Sequence, residues 1–271
     1  MMKCFLAAAL TCAAITSVMA IELPPEIAKQ GSIKVAIVPN YPPLEFRDPA
    51  TNTLTGFDVE LGEALGKKLG LKIDWQQTSF DQMMPAIATG RVDAILSGMT
   101  DMASRQDTAT FVDYLRNGPR FFVQQSRAAE FKDTTAFCGK KVGASRRTSF
   151  PKLIAAWSDA NCAGNAVQFI GTEGSADART QLRQGRIDAA VQGGETLPYM
   201  MDLEPGTYVP IGDVFATQFT GLALNIKEKA LQQAFVEALD SLIADGTYRA
   251  LLAKWKLTDY GIEKATINAG Q

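Results

Sequence analysis

Gly90-Arg91-Val92-Asp93-Ala94 recurs further along the chain as Gly185-Arg186-Ile187-Asp188-Ala189, in both places a helix-ending glycine, a charged residue and the start of a buried strand. Upstream of the first copy, Phe80, Met83, Met84, Ile87 and Ala88 recur at helical spacing, with Ser79 and Gln82 in a capping-box pattern and Pro85 placed to kink the helix. Further upstream stand a strand over Leu71–Trp75, a helix carrying Phe57, Leu61, Ala64, Leu65 and Leu69 on one face before Gly70, and a strand over Ser32–Val38. With the strand Asp93–Ser97, this alternation predicts a mostly parallel sheet flanked by helices. The second copy follows the same order: a strand over Lys141–Ala144, a helix from Thr148 with Phe150, Leu153, Ile154 and Trp157 on one face, a strand over Val167–Ile170 and a helix over Gly174–Gln184. A single five-residue match is weak, because helix–glycine–strand junctions are common. The shared element order leading into both copies is what predicts two similar α/β lobes.

A further strand, Thr220–Ile226, and two helices, Glu228–Ala244 and Tyr248–Trp255, are needed to cover the first sheet. Lobe one is therefore expected over residues 21–124 plus 218–271 and lobe two over 125–217, with a two-strand hinge near Gln124-Gln125 and Ala216-Thr217. Such a hinge suits closure around a ligand.

The 271 residues are 46% hydrophobic and 21% charged, with a net charge of −2. That balance offers no electrostatic footprint for nucleic acid or an anionic membrane. Histidine is absent, which removes imidazole bases and the commonest metal ligand; no ligand spacing predicts a metal, and no cofactor is expected. Residues 1–20 read as a secretory signal: Lys3, an apolar run from Phe5 to Val18, then Val18-Met19-Ala20 before the cleavage point. The run is too short for a membrane anchor, and the residues before Cys12 fit a lipoprotein signal poorly. The mature protein is expected in the periplasm. Cys4 and Cys12 leave with the signal, and in an oxidising compartment the remaining Cys138 and Cys162 are expected to form a disulfide rather than stay as two buried thiols.

Several stretches, in order along the mature chain, carry a resemblance: Tyr41-Pro42-Pro43-Leu44-Glu45-Phe46, Leu54-Thr55-Gly56-Phe57-Asp58-Val59-Glu60-Leu61, Asp93-Ala94-Ile95-Leu96-Ser97-Gly98-Met99-Thr100 followed by Arg105, Asp245-Gly246-Thr247-Tyr248, and Lys254-Trp255. In these the chain resembles the periplasmic polar-amino-acid-binding proteins of ABC importers, solute-binding protein family 3. The resemblance implies a type II periplasmic-binding-protein fold and a monomeric receptor without catalysis. Its partners would be an amino-acid-like ligand and a membrane permease.

The resemblance also implies a site. Arg105 offers a planar fork for a carboxylate, shared with the Thr100 hydroxyl and N–H, in a loop with Ser97 and Gly98 at the carboxyl end of a strand, where open α/β sheets bind ligands. The alternative for Arg105 is a salt bridge with Asp101 or Asp107. Tyr41 and Phe80 match positions that sandwich the ligand side chain, although Phe80 also suits the core. In lobe two, Arg146-Arg147-Thr148-Ser149 stands where relatives carry a glycine and two hydroxyl residues. Thr148 suits a helix N-cap exposing N–H groups to an anion, joined by Ser149; Arg147 is either a second anion contact or solvated with Arg146. Gly193 occupies the place of an ammonium-binding aspartate, and Glu195 either reaches that ammonium or complements a helix dipole. Val38 stands where members taking cationic amino acids have an acid; together with the missing aspartate this argues against lysine, arginine or histidine and for an anionic or amino-acid-derived solute rather than a plain α-amino acid. The competing class is a periplasmic cyclohexadienyl or arogenate dehydratase-like enzyme on the same fold. Glu195 and Glu173 would be its acid–base candidates, although neither sits in a recognisable catalytic constellation.

Overall fold

The computed structural model describes residues 21–270; the signal segment over residues 1–20 lies outside them. The first half of the chain forms α1 (Pro25–Gln30), β1 (Ser32–Ile37), the short strands β2 (Asn40–Tyr41), β3 (Glu45–Arg47) and β4 (Leu54–Thr55), α2 (Phe57–Leu69), β5 (Lys72–Gln77), α3 (Phe80–Ala88), β6 (Ala94–Ile95), α4 (Ala103–Gln106) and β7 (Ala109–Asn117). The middle forms β8 (Pro119–Gln124), β9 (Lys141–Ser145), α5 (Phe150–Asn161), β10 (Gln168–Thr172), α6 (Ser175–Arg183), β11 (Ala189–Gly193), α7 (Leu197–Leu203) and β12 (Tyr208–Ile211). The chain ends in β13 (Gln218–Asn225), α8 (Lys229–Ala244), α9 (Thr247–Lys254) and β14 (Thr266–Ile267).

Two main sheets result, β14-β7-β13-β6-β1-β5 and β10-β9-β11-β8-β12. Both are mixed. The runs expected from the repeated α/β pattern, β5-β1-β6 and β10-β9-β11, are parallel. The remaining strands are antiparallel, because the chain enters and leaves each lobe next to the hinge rather than through a covering helix. Helices cover both faces of the first sheet. Phe57, Leu61 and Leu65 of α2 pack with Leu231, Phe235 and Leu239 of α8 on one face, and Met83, Ala86 and Ile87 of α3 pack on the other. In the second sheet Phe150 and Ile154 of α5 lie on one face, and Ala178, Leu182, Leu197 and Met200 of α6 and α7 on the other. These apolar positions recur at three- and four-residue intervals, so each helix buries one stripe.

Two local expectations change. β8 pairs with β11 and β12 in the second sheet, so the first crossing between sheets lies at Gly118 rather than at Gln124-Gln125. The return crossing lies between β12 and β13. Ser79 makes no side-chain cap on α3; its carbonyl accepts the Gln82 N–H instead. The disulfide forms between Cys138 and Cys162, with Cα atoms 5.2 Å apart. It ties the segment before β9 to the end of α5.

At the crossing the two chain segments lie backbone against backbone: a Cβ on Gly118 would stand 1.9 Å from the Ala216 carbonyl oxygen. The Gly118→Val variant is therefore expected to lose about 1–3 kcal/mol or more of stability through overpacking, seen as a clear fall in thermal midpoint. An unchanged midpoint would contradict this packing.

Candidate functional site

A cavity of about 240 Å³ lies between the two sheets, walled on one side by the loops after β1 and β6 and on the other by the N-terminal ends of α5 and α6 and the end of β11. The Ser97–Thr100 loop, which follows β6, is held from behind by two buried acids. Ser97 donates its hydroxyl to Glu45 at 2.9 Å and accepts the Val38 N–H at 3.1 Å. The Gly98 N–H donates to Asp58 at 2.7 Å, and the Tyr114 hydroxyl donates to the same oxygen at 2.8 Å. Arg105, on the short α4, donates Nη1 to the Thr100 carbonyl at 2.7 Å, and its guanidinium lies 5.6 Å from the centre of the Phe80 ring. No salt bridge joins it to Asp101 or Asp107 among the described residues; Asp101 is taken by Gln106 and the Gly270 N–H. A half-buried fork with one donor engaged leaves its others for an anion. Phe80 lies on the cavity wall and also packs against the core around α3.

Around the cavity, three polar side-chain contacts cross from one sheet to the other, and outside it Lys256 pairs with Asp202 while Tyr199 of α7 packs against Phe46 and Trp255. The Tyr41 hydroxyl donates to Glu195 Oε1 at 3.2 Å and accepts the Gly193 N–H at 3.2 Å. Arg147 forms an ion pair with Asp81. Ser149 donates to Gln218 at 3.0 Å. Of the residues singled out in the sequence, Tyr41, Phe80, Ser97, Gly98, Thr100, Arg105, Arg147, Thr148, Gly193 and Glu195 all line this one cavity. Ser149 stands behind the wall, caught by Gln218. Thr148 makes the local contacts of a capping residue, donating to the Ser145 carbonyl and accepting the Phe150 N–H. The two arginines part: Arg147 faces the cavity, whereas Arg146 pairs with Glu173 and the Gly171 carbonyl.

The chain matches, over residues 33–258, the bacterial extracellular solute-binding proteins, family 3. It belongs to this family. Among its relatives it is 25% identical to the arginine-binding protein ArgT of Corynebacterium glutamicum, over 91% of this chain and 81% of that one. It is 27% identical to the L-arginine-binding protein of Pseudomonas aeruginosa, covering 85% and 90% of the two chains, and 27% identical to the L-cystine-binding protein TcyJ of Escherichia coli, covering 85% and 84%. Similar solved structures include an ancestral arginine-binding protein bound to arginine, with a TM-score of 0.72, 26% identity and coverage of 83% and 98%. An ancestral amino-acid-binding protein described as a precursor of cyclohexadienyl dehydratase has a TM-score of 0.74, 27% identity and coverage of 85% and 97%.

Within this solute-binding family the end of β11 is where the chain departs from the expected pattern, and the geometry explains how. A Cβ on Gly193 would stand 2.0 Å from Glu195 Oε1 and 2.4 Å from Oε2. The glutamate folds back over the glycine, so its carboxyl occupies the space that a side chain at 193 would fill. Glu195 does not simply complement a helix dipole. Sequence reasoning missed Asn117 and Gln218, register partners at the ends of β7 and β13, which line the cavity only because the crossing puts them there. Glu45 was legible as part of the proline-rich loop, but nothing in its spacing placed its carboxyl in the wall.

Three acids therefore gather at one end of the site, Glu45, Asp58 and Glu195, each at most 1% exposed. Burial, then the charge of Asp58, hold Glu45 well above the usual carboxylate range. Burial raises Asp58 to about 6, against hydrogen bonds from Gly98 and Tyr114. Burial raises Glu195 to about 7, opposed by its own backbone N–H and by Tyr41 and Asn117. Away from the site, burial also raises Asp113 to about 7. Groups protonated in the fold contribute stability that is fully present below the unfolded carboxylate range, near 4, and is lost as pH rises through about 6 to 7. The thermal midpoint of ligand-free protein is expected to fall as pH is raised from about 5 to 8. A midpoint that climbs over that interval would show these acids to be ionised.

Proposed function

We propose that this chain is a periplasmic receptor that captures an α-amino acid or close analogue between its lobes and presents the closed form to an ABC-type permease. The observation that carries this reading is the placement of an arginine fork on one lobe and a buried carboxyl on the other against a single cavity. Arg105 and Thr100, with the N-terminal end of α5 behind Thr148, suit the ligand carboxylate. Glu195 suits the ammonium that Gly193 lacks the side chain to hold. Tyr41 and Phe80 offer flat faces to the side chain. Val38 on the wall where an acid would hold a cationic tail, with Asp81 already paired to Arg147, favours an uncharged side chain. The names of the relatives, binding proteins for arginine and cystine, support an amino acid as the class of ligand.

Closure about the crossing at Gly118 and Ala216 would bring together the contacts of Tyr41, Arg147 and Ser149 and exclude water, so that charge-assisted bonds act in a lower dielectric. Binding is favoured over turnover because one of the two candidate acids, Glu173, is exposed and paired with Arg146, leaving Glu195 without a second catalytic group. The likeness to a dehydratase precursor makes turnover of prephenate or arogenate the measurement that separates the two.

The deciding experiment is a thermal-shift and calorimetric screen of the mature protein against the twenty common L-amino acids. A ligand well above its Kd raises apparent stability by a few kcal/mol, at about 2.7 kcal/mol for a hundredfold excess. Arg105→Ala is expected to weaken the best ligand by about 2–5 kcal/mol, thirtyfold or more, because a buried carboxylate loses its charged partner. Near-normal affinity in that variant would remove Arg105 from the site, and a response confined to lysine, arginine and histidine would overturn the reading of Val38.

A further inference from the structure

The acidic end of the cavity contains more buried acceptors than donors. Glu195 Oε2 and Asn117 Oδ1, both inaccessible and both belonging to wall residues, find no hydrogen-bond donor among the described residues. The Asn117 Nδ2 donates to Thr220 at 2.9 Å while the Asn117 amide also lies close enough to Glu195 to favour its carboxylate, and the Tyr41 hydroxyl spends its one proton on Glu195 Oε1. Behind them Glu45 Oε2 and Asp58 Oδ1 are orphaned in the same way. A hydrogen bond between these two carboxyls needs a proton on one of them, and that proton accounts for both orphans.

The groups that bear on Glu195 from each packed element are Tyr41 of β2, Glu45 of β3, Asp58 of α2, Asn117 of β7 and Tyr260 after α9. None is a cation. No arginine of the wall is hydrogen-bonded to or ion-paired with Glu195 among the described residues: Arg105 donates one Nη1 to the Thr100 carbonyl, Arg147 pairs with Asp81, and Arg120, near Tyr260, donates to the Gly212 carbonyl. An uncompensated buried carboxylate beside other acids takes up a proton rather than remain charged.

We infer that Glu195 is protonated in the ligand-free protein and exchanges that proton for a nitrogen cation of the ligand, which makes Glu195 and Asn117 the pair that selects an amine. The inference rests on the reading of the cavity as an amino-acid site and adds to it a stoichiometry. An ammonium R–NH3+ enters, the Glu195 carboxyl becomes a carboxylate, and one proton leaves to solvent. The ammonium then donates to Glu195 Oε2 and Asn117 Oδ1, two acceptors that a group without N–H or O–H donors would leave unpaired, and its charge offsets the carboxylate. Apparent affinity should weaken as pH falls below neutrality, by up to about tenfold per pH unit for one released proton.

Two measurements test this. In ligand-free protein labelled with 13C at the glutamate carboxyls, the resonance lost in Glu195→Gln is expected to titrate near neutrality; titration near the ordinary value of about 4.3 overturns the inference whatever the ligand. Calorimetry with L-glutamine at pH 6, in buffers of low and high ionisation enthalpy, is expected to show close to one proton released by the native protein and none by Glu195→Gln. 4-Carbamoylbutanoate, which is glutamine without its amine, is expected to bind more weakly and release none. Glutamine binding with no proton release, or equal affinity for the two compounds, overturns the inference. Failure of glutamine to bind at any pH counts against the amino-acid reading, and the carboxyl titration then decides the proton on its own.

Discussion

The carbonyl oxygen of Ala216 lies where a side chain on Gly118 would have to be, and this contact between the two crossing segments conditions the rest of the molecule. Because the crossings touch, Asn117 and Gln218 meet in register at the last pair of the first sheet and face into the cavity. The Gly118 carbonyl also accepts the Gly194 N–H at 2.8 Å, which locks the turn that carries Gly193 and Glu195 to the crossing itself. The crossing and the acidic end of the cavity are thus joined through one hydrogen bond of the backbone.

The buried acids have a structural task as well as a ligand-facing one. Glu45 and Asp58 come from the loop and helix preceding the ligand loop in sequence, yet they fix that loop in space through Ser97 and the Gly98 N–H. Burying such groups is costly unless they are hydrogen-bonded or neutral, and a proton shared between them with bonds from Ser97, Gly98 and Tyr114 meets that condition. The outcome is a cavity-wall loop whose backbone is fixed by its own hydrogen bonds, with Arg105 tied to it through the Thr100 carbonyl. Preorganisation of this kind reduces the ordering that binding would otherwise have to supply.

Much of this architecture is written in periodicity. The stripes of α2, α3, α5 and α8 follow from apolar residues at three- and four-residue spacing, and the paired Gly-Arg-x-Asp-Ala junctions mark the parallel halves of the two sheets. Most candidate site residues were legible because they sit in short stretches with a distinctive order, such as the proline-rich loop at Tyr41 and the Ser97–Thr100 loop with Arg105. Less legible were β8, an apolar strand whose residues suit either sheet, and Ser79, whose capping box looks complete in sequence. In both cases the local signal is satisfied equally well by two arrangements, and contacts with distant residues choose between them.

Local spacing of apolar and turn residues by itself determined that this chain makes two α/β lobes, since those stripes depend only on neighbours along the chain, while the pair of cysteines left in an expected oxidising compartment pointed to the disulfide. Where the chain crosses between sheets, which of Arg146 and Arg147 faces the ligand, and how Glu195 comes to fill the place left by Gly193 were decided only in three dimensions. Each depends on which backbone lies against which. The energy of a buried carboxyl is likewise set by the groups that surround it, and for Glu195 these come from β2, β3, α2 and β7, segments more than seventy residues away in sequence.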